Sequence, residues 1–336
     1  MNALTLETYQ QAANSALAWI TSQIDDEGSL GSDNRDLACY YKFPYLMQLA
    51  GRVVETHRLL DFVSANFQRP NGDFATSEQQ KTADPVLSLY PGYINGWIAM
   101  AAHKAGRFEI SLPAWEYLLG FHDPASGGFM LQRAGNGNGS PVEVLMTAHL
   151  GMAALYFGDV QRATGAGRML RQFLDLQPDI GHRFLLRMAH GGQLQTDFPA
   201  EAAGLHVIDA EQPGQAWFFI GYPIAFLARL SLATGDLGFL SSASRYFDFA
   251  RRCGERLVAE HFAHKVAWGA AELGRASGDP EHLALSARIA ERLIAAQDAS
   301  GSWLADQPPC TRFDQSAEVA IWLLEICARA ARASIG

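Results

Sequence analysis

Two short motifs alternate along the chain, and each closes a helix. The first is Gly followed by Arg or Asp: LAGR at Leu49 to Arg52, KAGR at Lys104 to Arg107, then YFGD, ATGD and ASGD ending at Asp159, Asp236 and Asp279. Gly in such a place takes the left-handed backbone that ends a helix, and a following Asp caps the next one. Each occurrence therefore predicts a tight reversal between antiparallel helices. The second motif closes the other helix of each pair: QIDDEGSL at Gln23, QRPNGDF at Gln68, FHDPASGGF at Phe121, QPDIGHRF at Gln177 and QDASGSW at Gln297. Between the motifs apolar residues recur at helical spacing, as in Leu283, Leu285, Ile289, Leu293 and Ile294, with little sustained period-two alternation.

Laid out in order, the outer helices fall at about 5–23, 53–68, 111–121, 160–176, 238–256 and 280–297, the fifth of them without the second motif. Inner helices begin near Asp36, Asp84, Pro141, Gln215, Ala263 and Asp314 and read as apolar all round, in runs such as AWFFIGYPIAFLARL. A helix covered on both sides has that pattern. Six pairs predict an all-α fold, an (α/α)6 barrel filling residues 1–336 as a single domain, since the repeat crosses the midpoint and no linker interrupts it. One irregular stretch, 181–213, holds RFLLRMAHGGQLQTDF, which predicts a small β-hairpin near 181–200.

Composition narrows the partner. With 49% hydrophobic and 18% charged residues, the chain has enough apolar surface for a large core. A net charge of −9 opposes nucleic acid and anionic membranes and leaves a small molecule as the expected partner, an apolar one by the aromatic residues of the inner helices, the oligomeric state being open. No run of about twenty apolar residues predicts a membrane span. Cys39, Cys253, Cys310 and Cys327 show no CxxC or metal-ligand spacing, so neither a disulfide framework nor a zinc site is expected, and a cytoplasmic location fits.

The second motif, clearest in Gln297 to Trp303 and echoed at Gln23 and Gln68, resembles the QW-type repeats of the terpenoid cyclase and protein prenyltransferase toroids. The catalytic motifs of that group do not follow. Gln23-Ile24-Asp25-Asp26 has Gln where a D-x-D-D acid motif begins, and Asp25-Asp26 continues as Glu27-Gly28-Ser29, not as a magnesium-binding D-D-x-x-D. The zinc ligands of the prenyltransferases have no match either. What remains resembles the stand-alone toroids of natural-product pathways, which implies a cyclase of the Diels–Alder type working without metal or cofactor.

In such a barrel the starts of the inner helices line the cavity, so polar residues there are the site candidates. Tyr40, Tyr41 and Lys42 open the first; the lysine is either a cation beside an apolar substrate or a side chain reaching for the rim. The second carries Tyr90, Tyr93, Asn95 and Trp97 around Pro91 and Gly92. A kink there would aim Tyr93 and Asn95 inward, while Asp84 is read as a cap. His149 in the third is a base or a satisfied core residue. Gln215, Trp217, Phe218 and Tyr222 in the fourth make a strong wall, interrupted by Pro223. The fifth brings His264, Lys265 and Trp268, placed to polarise a carbonyl or simply to solvate the rim. In the sixth, Asp314 and Glu318 share one helical face, as an acid–base pair or as a cap with a first-turn acid. Tyr93, His149, Tyr222, Lys265 and Glu318 are the catalytic candidates, and the others bind substrate.

The leading expectation is a cofactor-independent cyclase or isomerase of specialised metabolism, folding a terpenoid or polyketide-like substrate against aromatic walls. The alternative is a carbohydrate-active hydrolase, lyase or epimerase using Asp84, Asp314 and Glu318. A third reading is a binding or interaction toroid with no catalysis.

Overall fold

The computed structural model describes residues 3–135 and 139–333. Its helices fall where the two motifs put them, in two compact units: residues up to Gly120 with Ile294–Cys327, and a second built on Phe121–Leu293. In chain order the first unit holds α1 (Ala3–Gln23), a 3-10 turn (Leu37–Cys39), α2 (Phe43–Leu49), α3 (Val53–Phe67), α4 (Pro85–Leu89), α5 (Pro91–Lys104) and α6 (Phe108–Leu119). The second holds α7 (Val144–Tyr156), α8 (Val160–Leu176), α9 (Phe218–Thr234), α10 (Leu237–Cys253), α11 (Glu255–Val258), α12 (His264–Ser277) and most of α13 (Pro280–Ala295). Helix α14 (Pro309–Ala333) returns the chain to the first unit.

Two kinds of helix result. Outer helices bury one stripe: α3 buries Thr56, Leu59, Leu60, Val63 and Phe67, the spacing of one helical face. Inner helices are buried all round, α5 without a break from Pro91 to Ala102 and α7 from Val144 to Ala154. Helix α2 packs on α3 and α5 and α5 on α6; in the second unit α7 packs on α8 and α9, and α9 on α10 and α12.

The Gly-Arg and Gly-Asp reversals are uniform. Gly51, Gly106, Gly158, Gly235 and Gly278 all have φ between 73° and 76°. Asp159, Asp236 and Asp279 then accept from the backbone N–H groups of Arg162, Gly238 and Glu281. The second motif bolts neighbouring outer helices together. Gln68 Nε2 donates to the Ile110 carbonyl of α6 at 3.2 Å, and Gln297 Nε2 to the Ala12 carbonyl of α1 at 2.9 Å. The glycine of the motif allows the close approach: a Cβ on Gly72 would lie 2.0 Å from Pro113 O, and one on Gly301 2.5 Å from Ser15 O.

The small hairpin is present in outline, and two other expectations need correction. The Gly191-Gly192 turn forms, with a single Met188–Leu194 bridge, but the longer pairings are non-local. β1 (Val142–Glu143) pairs antiparallel with β3 (Arg187–Met188), and β2 (Arg183–Leu185) with β4 (Val207–Asp209). The run after Leu194 is polar and ends in Pro199, so it offers no apolar face to extend the hairpin, whereas Val207 and Ile208 do. Pro91 does not kink a helix; it is the first residue of α5, where its missing N–H costs nothing. Cys39 and Cys310, 271 residues apart, form a disulfide. That bond removes the reason cysteine spacing offered for a reducing compartment. Among the described residues no helix is long and apolar enough to cross a membrane.

Gly72→Ala and Gly301→Ala should each cost about 2 kcal/mol or more in urea unfolding, because left-handed backbone and a backbone clash add. Gly51→Ala, whose Cβ would meet nothing within 4 Å, should cost only the backbone part, about 1 kcal/mol.

Candidate functional site

Lys42 lies immediately before α2 and is 2% exposed. An ammonium so placed needs compensation, because burial of an unpaired charge costs several kcal/mol. Two carboxylates from the first turns of α14 supply it. Nζ lies 2.5 Å from Glu318 Oε2 and 2.7 Å from Asp314 Oδ1. The Glu318 contact is a hydrogen bond, whereas Asp314 Oδ1 is close without hydrogen-bond alignment. Glu318 is fully buried and also accepts from the Tyr93 hydroxyl of α5 at 3.0 Å. Asp314 is the member that reaches solvent, at 11% exposure, and its other oxygen accepts from the Gln315 amide at 2.6 Å.

Rings close over this cluster. Nζ stands 5.0 Å from the Tyr41 ring centroid, 5.7 Å from Tyr93 and 6.0 Å from Trp97, distances at which a ring face attracts a cation. Behind it, Trp97 packs against Trp322 and Tyr45, and Tyr45 joins Glu325 to Lys104. Asp314, Glu318, Trp322 and Glu325 are thus one stripe of α14, at the helical spacing of four, four and three residues.

The second unit holds its polar groups in a similar way. At the start of α12, His264 Nδ1 lies 2.7 Å from the His261 carbonyl and its Nε2 lies 3.2 Å from Lys265 Nζ. A carbonyl only accepts, so Nδ1 carries the proton and Nε2 accepts from the lysine. Lys265 stands over the Phe218 ring. Deeper in, His149, Tyr222 and Trp268 form an edge-to-face chain of rings. Arg229 of α9 then covers Trp268, donates to buried Glu272 of α12 at 3.0 and 2.6 Å, and donates to the Tyr156 hydroxyl. A cavity of about 360 Å³ opens there, at the C-terminal ends of α7, α9 and α12, between Met152, Tyr156, Leu232 and the two arginines Arg229 and Arg275.

The predicted residues separate accordingly. Tyr41, Lys42, Tyr93, Trp97, Asp314 and Glu318 come together in the first unit. Phe218, His264 and Lys265 meet in the second, and His149, Tyr222 and Trp268 meet deeper in the same unit. Trp217 is fully buried with its indole N–H unpaired among the described residues, and Tyr90 is buried at the start of α5. Three serve the scaffold. Tyr40 accepts from the Leu30 N–H and packs on Phe62 and Phe67 of α3. Asn95 binds Asp73 of the QRPNGDF loop and Lys81 beyond it, and burial lowers the Lys81 amine to about 8 against the pull of Asp73. Gln215 ties down the loop at Asp209 and Pro213. Asp84 caps α4 by accepting from Leu87. Sequence reasoning passed over Glu272, Arg229, Glu143 and Glu325. Their signal was a charge set inside an otherwise apolar inner run.

No family model and no curated protein matches the sequence. Solved structures do. The cellobiose 2-epimerase of Spirochaeta thermophila is 14% identical, with a TM-score of 0.68 over 99% of both chains. A glycoside hydrolase family 76 α-mannanase of Bacteroides thetaiotaomicron is 14% identical, with a TM-score of 0.66 over 98% of this chain and 97% of that one. The type II terpene cyclase MstE of Scytonema is 12% identical, with a TM-score of 0.57 over 98% of this chain and all of the other. The chain therefore has the (α/α)6 toroid fold. At these identities the likeness is one of fold, which hosts several chemistries.

Glu143 gives a pH test of the inner layer. It caps α7 by accepting from the Leu145 and Met146 N–H groups, yet burial outweighs those bonds and pushes its carboxyl up to about 7. The folded state thus holds a proton that the unfolded state releases near the ordinary glutamate value of 4.5. Stability from this group is complete below that pH and lost as pH rises through about 7. Thermal unfolding should show the decline, on the order of a few kcal/mol, and Glu143→Gln should flatten it between pH 4.5 and 7.

Proposed function

We propose that the chain is a carbohydrate-active isomerase or epimerase that moves a proton at a sugar carbon beside a carbonyl. In this reading Asp314 is the acid–base and Lys42 the donor to the carbonyl oxygen. The observation that carries it is Lys42 Nζ seated between Asp314 and Glu318. Glycoside hydrolysis by two carboxyl groups needs the sugar between them. Here an ammonium occupies that space. Proton abstraction next to a carbonyl has the opposite need: one base, with a cation close enough to stabilise the enediolate oxygen as charge develops.

Each member has a part. Asp314 is exposed enough to meet a substrate, and its Oδ1 is without a hydrogen bond, as a base requires. Glu318, fully buried, holds Lys42 and the Tyr93 hydroxyl in place. Tyr41 borders the cluster, and sugars stack on such rings. The fold likeness to an epimerase supports the reading. A second reading, a cyclase acting on an apolar substrate, draws on the Trp97–Trp322 layer and on the fold likeness to the terpene cyclase; the Diels–Alder assignment has no further support.

Incubation with a panel of aldoses and β-linked disaccharides in D₂O, followed by NMR, should give an epimer or ketose with deuterium at the carbon beside the carbonyl. Asp314→Asn should lower kcat by about 10²–10⁴ with the circular dichroism unchanged, while Trp97→Phe should cost far less. Cleavage of a glycosidic bond, or turnover lost with Trp97→Phe and kept with Asp314→Asn, would sink the proposal.

A further inference from the structure

The two chain segments that make the ion cluster are joined twice. Cys39 ends the 3-10 turn three residues before Lys42, and Cys310 lies in the first turn of α14, four residues before Asp314 and eight before Glu318. Their disulfide brings the two backbones to a Cα separation of 4.5 Å. The covalent tie and the ionic tie therefore span the same pair of segments, with rigid arms of a few residues between them. A Phe43–Phe313 ring contact also joins the two segments. Elsewhere each segment is held to different neighbours. Asp36 accepts from Thr82 and Ala83, and Thr76 accepts from the Leu37 N–H. The start of α14 is held by Arg312 on Ser300 and Ser302 and by Ser316 on the Trp303 N–H.

We propose that Cys39–Cys310 is a redox-operated staple for the Lys42–Asp314–Glu318 cluster. Closed, it holds the lysine against both carboxylates; opened by a dithiol reductant, it frees the first turn of α14 from the 3-10 turn and lets the cluster separate. The regulatory part rests on the isomerase reading of that cluster; the structural part does not.

The exchange is balanced. One thiolate of the dithiol attacks the Cys310 sulfur, since Cys310 is partly exposed and Cys39 is buried. A reductant–Cys310 disulfide forms, and Cys39 leaves as a thiolate and takes a proton. The second thiol of the reductant then displaces Cys310, whose thiolate leaves at a helix N-terminus, where negative charge is favoured. The products are two protein thiols and the cyclic disulfide of the reductant, with two electrons and two protons transferred. The remaining cysteines do not compete. Burial pushes the thiol of Cys253 up to about 12 and that of Cys327 up to about 11, so at neutral pH both stay protonated and are poor nucleophiles.

The test uses the full chain purified in air, before and after dithiothreitol, with thiols counted by mass after alkylation. Lys42 reactivity toward an amine acylating reagent and hydrogen exchange over 36–48 and 309–318 read the cluster without any substrate. Reduction should raise Lys42 labelling about tenfold or more while far-UV circular dichroism stays constant, and re-oxidation should restore protection. The Cys39→Ser/Cys310→Ser double variant should resemble the reduced protein, and the reduced wild type serves if that variant does not fold. Unchanged labelling and exchange on reduction, or free thiols at Cys39 and Cys310 in the untreated protein, overturns the staple. In the sugar assay the rate should fall about tenfold or more on reduction. Turnover indifferent to redox state overturns the regulatory role. If labelling responds but neither form acts on any sugar, the staple stands and the isomerase reading falls.

Discussion

An inner helix covered on every side leaves its charged groups no water, so each must be answered by another side chain or by backbone N–H groups. The interior of both units follows from that constraint. Lys42 is met by Asp314 and Glu318, Arg229 by Glu272, and Lys265 by His264. Glu143 has two backbone N–H groups and still keeps a raised pKa, because burial outweighs them. Such pairs contribute little net stability, since desolvation offsets much of the attraction. What they contribute is geometry, because a charge satisfied by one partner in one place has few alternatives.

The two units use the constraint differently. In the second, Arg229 and Glu272 lock α9 to α12 through two hydrogen bonds and a ring contact, an arrangement with every sign of a fixed brace. In the first, one ammonium faces two carboxylates, and one of these, Asp314, is both partly exposed and out of hydrogen-bond line. The ammonium has three N–H donors, yet Asp314 Oδ1 lies off their line and takes none of them. On the proposed isomerase reading, that asymmetry favours the first unit for proton transfer, and the proposed staple would act on it.

Most of the architecture was legible because its signals are local. The five Gly-Arg or Gly-Asp reversals need only a left-handed glycine and a cap, and α3, α8, α10 and α13 fall within a few residues of their expected ranges. The site was legible only in part. Lys42, Tyr93, Trp97, Asp314 and Glu318 stood out as polar or aromatic groups at inner-helix starts. The same criterion also selected Tyr40, Asn95 and Gln215, which face outer helices and loops. Residue type and helix position cannot separate these cases, since the direction of a side chain depends on where the neighbouring helix lies.

By itself the sequence determined that this chain pairs helices, where each pair reverses, and which helices lie inside, because turn chemistry and apolar periodicity act over a few residues. Tertiary structure alone decided that Lys42 would meet carboxylates 272 and 276 positions away, that Cys39 would bond to Cys310, and that residues 183–188 would pair with distant strands. Those contacts join segments far apart in the chain, and their energies depend on burial that exists only once the helices have packed.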